Sequence, residues 1–198
     1  MTGLMMRSTS AITKGGLILP ELTYSIRNNC QIGQWVQSDG ETTITNELSF
    51  CIVHLEQMYG DLGKTKGAHW VQLWGISDQV LKGQVVFCTY IKGRSLNLLG
   101  NKVLEAHIAE KGASDLLFKS KFIRQTNDYG VYYILGFETE ELPAKDPKRK
   151  RIDDFLATNP IFLDKNIPPT LFATSDMTPE ACAEYLKLIR AELKPPKA

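Results

Sequence analysis

The clearest periodicity in the chain lies at 42–54, where Ile44, Leu48, Phe50 and Ile52 share one parity and Thr43, Thr45, Glu47 and Ser49 share the other. Alternation of this kind sends successive side chains to opposite faces and predicts a long, half-buried strand. Strand patterns follow at 69–76 and 84–92, the second rich in β-branched and aromatic residues: Val85, Val86, Phe87, Thr89, Tyr90 and Ile91. The period then changes. Leu96, Leu99, Val103 and Ala106 recur at spacings of three and four, which predicts a helix over 95–111 with one buried face. Ser95 is placed to cap its start, and Gly112 to close its end in the left-handed conformation. Gly100 weakens this helix by about 1 kcal/mol relative to alanine, so packing must hold it. Strand patterns return at 115–125 and 129–139, joined by Thr126, Asn127 and Asp128 as in a tight hairpin. The last of these is apolar on both parities, which predicts a central position in the sheet.

The flanks are less regular. Residues 1–16 mix small, polar and basic side chains and lead into an apolar run, Leu17-Ile18-Leu19, stopped by Pro20. One or two short strands are expected between residues 21 and 37, ahead of a turn at Ser38-Asp39-Gly40. Residues 59–67 hold three glycines and two lysines and read as a mobile, basic loop. Beyond Leu142 the composition shifts to a linker, a basic run at 148–151 and a short helix at 152–157. Thr178-Pro179-Glu180 then starts a last helix, to which Cys182, Tyr185, Leu186, Ile189 and Leu193 give an apolar face. The expected organisation is an N-terminal extension over 1–40, a β core over 41–142, and a linker with a helical arm over 143–198. The arm offers a surface for packing or for homo-oligomerisation.

Composition narrows the functional classes. The chain has 198 residues, 43% hydrophobic and 23% charged, with a formal net charge of +1, so any binding of an anionic polymer must rest on a local patch. Four scattered cysteines and no apolar leader at the N-terminus point to a reduced, cytoplasmic setting. No apolar run approaches the roughly 20 residues that span a bilayer, so no membrane partner is expected.

Taken in order, the middle of the chain reads strand, strand, strand, helix, strand, strand. Over 41–139 that order is similar to the OB fold, a small five-stranded antiparallel β-barrel with a helix between strands three and four. The chain resembles in this respect the single-stranded-DNA-binding proteins of phages, plasmids and bacteria. The resemblance implies a non-enzymatic role in binding single-stranded nucleic acid, DNA rather than RNA, accessory to replication or recombination. It places the ligand on strands two and three and on the loops joining strands one to two and four to five. Here those positions are Trp70, Gln72 and Trp74 on one face of strand two, Tyr90 and Lys92 on strand three, and Lys64 and Lys66 in the first loop. Lys119 and Lys121, with Gln125, lie on strand four opposite the parity of Leu116, Phe118 and Phe122 and would extend a phosphate-contacting face. Indoles four residues apart on one face would stack bases, each worth about 1–3 kcal/mol. The competing expectation is that both tryptophans lie in a core or an interface, in a structural or adaptor protein that uses its β core and terminal helix. The chain ends in KPPKA, without the acidic, aromatic-tipped tail typical of the bacterial members.

Enzymatic patterns are weaker. Gly63-Lys64-Thr65 looks like the end of a phosphate-binding loop, but Met58 stands where that motif needs glycine. Cys51 and His54 have a metal-like spacing, yet an offset of three on a regular strand sends them to opposite faces. No cofactor or metal signature is present.

Overall fold

The computed structural model describes residues 24–77, 85–143, 145–158 and 170–173. Nine strands, two α-helices and a 3-10 turn form among them: β1 (Tyr24–Asn29), β2 (Gln34–Gln37), β3 (Thr43–Thr45), β4 (Glu47–Leu62), β5 (Thr65–Ser77), β6 (Val85–Lys92), α1 (Gly93–Ile108), β7 (Leu116–Asn127), β8 (Gly130–Glu141), α2 (Pro147–Thr158) and β9 (Leu171–Ala173). The protein is mostly β. Eight strands lie in one path, β3-β2-β1-β6-β5-β4-β7-β8, and β9 adds to β4. All neighbours are antiparallel except β1 with β6. The apolar arm expected after residue 178 and the leader before residue 17 lie outside the described residues.

Among the described residues the path is open and does not close the five-stranded ring expected from sequence. The edge of β6 that such a ring would offer to β8 is taken by β1, with Tyr24 opposite Phe87 and Ser25 opposite Cys88. β8 nonetheless comes against the turn after β1 and the start of α1. The Tyr133 amide on β8 donates to the Cys30 carbonyl in the turn after β1 at 2.8 Å, and the Leu135 amide donates to Ser95 Oγ at 3.0 Å. Gly33 makes the first contact possible. Its φ of +69° lies in the left-handed region, and a Cβ there would sit 2.9 Å from the Tyr133 ring. These contacts correct the expectation that β8 is central. It is the last strand of the path, and its apolar double parity reflects an edge closed over by a turn and a helix.

The core lies inside the curl. Ile26, Trp35, Leu48, Phe50, Leu73, Phe87, Ile91, Leu99, Phe118 and Leu135 meet there, with Phe50 edge-on to Phe87 and stacked on Phe118. The Trp35 indole N–H reaches Ser120 Oγ at 3.1 Å, and that hydroxyl donates to the Leu48 carbonyl at 3.0 Å. A buried polar relay thus ties β2, β7 and β4 together with every group satisfied.

The parity of β4 changes along its length. Its pairing with β5 shifts register between Ile52 and His54, and such a bulge moves later side chains to the other face. Leu48, Phe50 and Ile52 point into the core before it, and Leu55 does so after it. Cys51 and His54 therefore both face outward, contrary to the expectation of opposite faces, since their partners across the ladder are Ile76 and Trp74. Among the described residues no cluster of His, Cys, Asp or Glu suits a metal ion.

α1 starts and ends differently from the sequence expectation. Ser95 does not cap it: the N-cap is Lys92, without a side-chain bond, and the Ser95 hydroxyl serves β8. The helix ends before Gly112, at Ala109. Glu110 adopts φ +57°, while the Glu110 amide bonds His107 O and the Lys111 amide bonds Ala106 O. That is a Schellman closure with a non-glycine residue in the left-handed position. No helix among the described residues is long and apolar enough to cross a membrane.

The sheet also runs across the expected boundaries. β1 and β2 precede residue 41 and β9 follows residue 143, yet all belong to the same sheet.

Candidate nucleic-acid interface

The ladders of β4, β5 and β6 set nine outward positions in three rows. His54 faces Trp74 and Cys88, Glu56 faces Gln72 and Tyr90, and Met58 faces Trp70 and Lys92. The shared face of Trp70, Gln72 and Trp74 is thus formed as the alternation requires. Its exposure is not what a stacking platform needs. Trp70 is 6% and Trp74 5% exposed, and Gln72 is buried between the indoles. Trp70 packs on Met58, and Trp74 on Val86 and Cys88. The Trp70 N–H donates to the Gly60 carbonyl at 3.2 Å, and Gln72 donates to the Tyr90 hydroxyl at 2.9 Å. This face is a second, outer apolar layer, and the two indoles offer no open ring to a base. The physical reason is the area of two indoles side by side, which gains far more from burial than from exposure.

Burial also governs titration here. The Cys88 thiol is pushed up to about 12 by desolvation, which Gln72 only partly opposes. The Tyr90 hydroxyl is likewise raised, first by burial. Neither group is activated for chemistry at neutral pH.

The lysines divide into two sets. Lys119 and Lys121 of β7 face β8, where Lys119 pairs with Glu140 at 2.5 Å and Lys121 pairs with Glu138. The hydrogen bonds that the lysines donate to these glutamates raise both lysine pKa values and lower those of Glu138 and Glu140. The face expected to extend a phosphate site is a neutralised cross-strand ladder. Gln125 lies further along the same strand, opposite Tyr132.

The second set gathers where β6 runs into α1. The segment 59–67 is no loop: β4 and β5 continue to a two-residue turn at Gly63 and Lys64, with Leu62 opposite Thr65. Gly63 takes φ +59° there, as a tight hairpin turn requires. Lys92 reaches from the end of β6 to the Thr65 hydroxyl on this hairpin, and its ammonium lies 5.0 Å from the Trp70 ring centroid. Two residues on, Arg94 donates to the Tyr132 hydroxyl of β8 at 3.2 Å. Both cations are exposed, and both are held by hydroxyls. Lys64 is exposed with no ion-pair partner among the described residues, whereas Lys66 is paired with Asp61 at 2.9 Å. Arg124 is exposed on the other hairpin but lies opposite Tyr133, on the other parity from Tyr132, and Tyr129 at the tip of that hairpin is 98% exposed.

The expectation put Lys64 and Lys66 in a loop, whereas Lys64 lies in a two-residue turn and Lys66 on β5; Tyr90 and Lys92 lie on β6, and the expectation did not single out Arg94, Tyr129 or Tyr132. Arg94 falls between the strand expected to end at Lys92 and the helix expected to start at Ser95. The signal lay in Lys92-Gly93-Arg94: Gly93 has φ +57°, which turns the chain sharply and leaves both neighbours at the surface. Comparison with protein-family models, with curated proteins and with solved structures finds no match to this chain.

Proposed function

We propose that this protein binds single-stranded nucleic acid, DNA in the first instance, across the basic corner formed by Lys64, Lys92 and Arg94, in an accessory role in replication or recombination. One observation supports the reading most. Lys92 and Arg94 are fixed by the hydroxyls of Thr65 and Tyr132, one on each hairpin, so they are positioned without being neutralised. A phosphate chain passing between the two hairpins would meet three cations, and exposed Tyr129 offers a ring to an unstacked base. The antiparallel run β6-β5-β4-β7-β8, with α1 between β6 and β7, keeps the strand order of an OB-like platform in an opened form. In chain order the β4–β5 and β7–β8 hairpins that flank the corner match the ligand loops named by the resemblance, which supports the reading.

The test is binding of labelled oligo(dT) at low salt, with duplex of equal length as competitor. Preference for the single strand supports the proposal, and equal or absent binding of both refutes it. A protein-binding, adaptor role is the second reading. It is favoured by the burial of both tryptophans and by Leu104 and Ile108, exposed one turn apart on α1.

A further inference from the structure

β7 pairs with β4 only over Glu47 to Cys51; further along, the same strand would present bare amides and carbonyls, a liability on a long edge. A short segment from the far side of α2 fills the place. Leu171, Phe172 and Ala173 pair with Gly60, Tyr59 and Met58. Immediately before them Thr170 clasps Asp61 twice, its carbonyl accepting from the Asp61 amide at 2.9 Å and its hydroxyl donating to the Asp61 carbonyl at 2.7 Å. The Asp61 carboxylate in turn holds the opposite strand of the hairpin, accepting from Lys66 Nζ at 2.9 Å and from the Gly67 amide at 2.8 Å. Asp61 is thus the knot between the segment 170–173 on one side and the returning arm of the β4–β5 hairpin on the other.

We propose that residues 170–173 form a strap that fixes the pose of the β4–β5 hairpin and, through it, the strength with which the basic corner holds its ligand. The second half rests on the nucleic-acid reading given above. The route is short. Thr65, which orients Lys92, lies four residues from Asp61 across the turn, and Lys64 sits between them at the tip. A strap held to the sheet edge by three residue pairs can open without the rest of the sheet, since proteins open locally in small cooperative units. Releasing it leaves Asp61 without its backbone partner and lets the hairpin tip depart from Lys92.

Two full-length variants test this. Phe172→Pro removes an amide from the middle of the ladder, and Thr170→Val removes the hydroxyl while keeping the shape. Hydrogen exchange of the peptide covering residues 58–67 should rise roughly tenfold in Phe172→Pro, with β7 and β8 unchanged, and less in Thr170→Val. Affinity for oligo(dT) should fall about threefold or more in the same order, as a positioned phosphate contact is lost. Unchanged exchange at 58–67 overturns the strap outright. Faster exchange with unchanged affinity, in a protein whose wild type binds, overturns its control of the corner. If wild type binds no oligonucleotide, the nucleic-acid reading and the control built on it both fail, and exchange alone decides whether 170–173 holds the hairpin.

Discussion

Lys119 and Lys121 on β7 and Lys92 and Arg94 at the β6–α1 junction are all cations at the surface, yet they are built for opposite ends. The first pair meets carboxylates across an antiparallel ladder, which cancels its charge and stiffens a hairpin. The second pair meets hydroxyls, which fix where the charge is and leave it available. A count of basic residues cannot separate the two cases; the identity of the partner atom does. Ion pairs on an exposed face are worth little in stability, so the ladder's clearest consequence is to remove two lysines from any anion-binding surface.

The largest effect is expected where the comparison touches the outer layer. Trp70→Ala or Trp74→Ala should cost about 3–5 kcal/mol, as for other buried large-to-small changes, measured by urea unfolding. A loss below about 1 kcal/mol would mean that the outer face is open, and the aromatic platform would return as the better candidate. Trp70→Ala also removes the ring beneath Lys92, so its folded fraction must be fixed before any binding is read.

An intermediate effect concerns acid. Glu138 and Glu140 are held below the ordinary carboxylate range, first by hydrogen bonds from Lys121 and Lys119 and then by their charges. Groups with depressed folded pKa values contribute stability above their unfolded pKa, near 4.3, and lose it as pH falls through the folded value. The thermal midpoint should therefore drop as pH falls from about 5, and Lys119→Gln with Lys121→Gln should make that drop shallower. An identical acid profile would show that the ladder is not made in solution.

The smallest effect lies at the end of α1. Glu110→Gly relieves a left-handed non-glycine residue and should raise stability by about 0.5–1 kcal/mol. A loss of similar size would indicate that the Schellman closure is not the ground state.

Much of the scaffold could be read from the residues alone. Alternation found the first half of β4, the aromatic run found β6, and the three-four spacing found α1 within two or three residues of its ends. What escaped was long-range. The bulge after Ile52 has no sequence mark, so Cys51 and His54 were assigned to opposite faces. The shared face of Trp70 and Trp74 followed from parity, whereas their burial depends on neighbours brought together by β4 and β6. The neutralised ladder was nearer to hand: a hairpin turning at Asp128 and Tyr129 sets Lys119 opposite Glu138, so that Glu140 lies diagonal to Lys119 and Glu138 diagonal to Lys121, and these pairs were readable once the turn was fixed to the residue. Ser95 shows the limit of local rules, since its hydroxyl serves an amide 40 residues away rather than its own helix.

The contrast between the two cation sets is tested most directly by the salt dependence of oligo(dT) binding in two double variants, Lys92→Gln with Arg94→Gln and Lys119→Gln with Lys121→Gln. Each phosphate contact on a single strand contributes about 0.7 to the slope of log affinity against log salt. The corner variant should lose about 1.4 from that slope and bind more weakly, while the ladder variant should keep the wild-type slope and affinity. The reverse pattern, or equal losses in both, would contradict the claim that partner atoms decide which lysines bind.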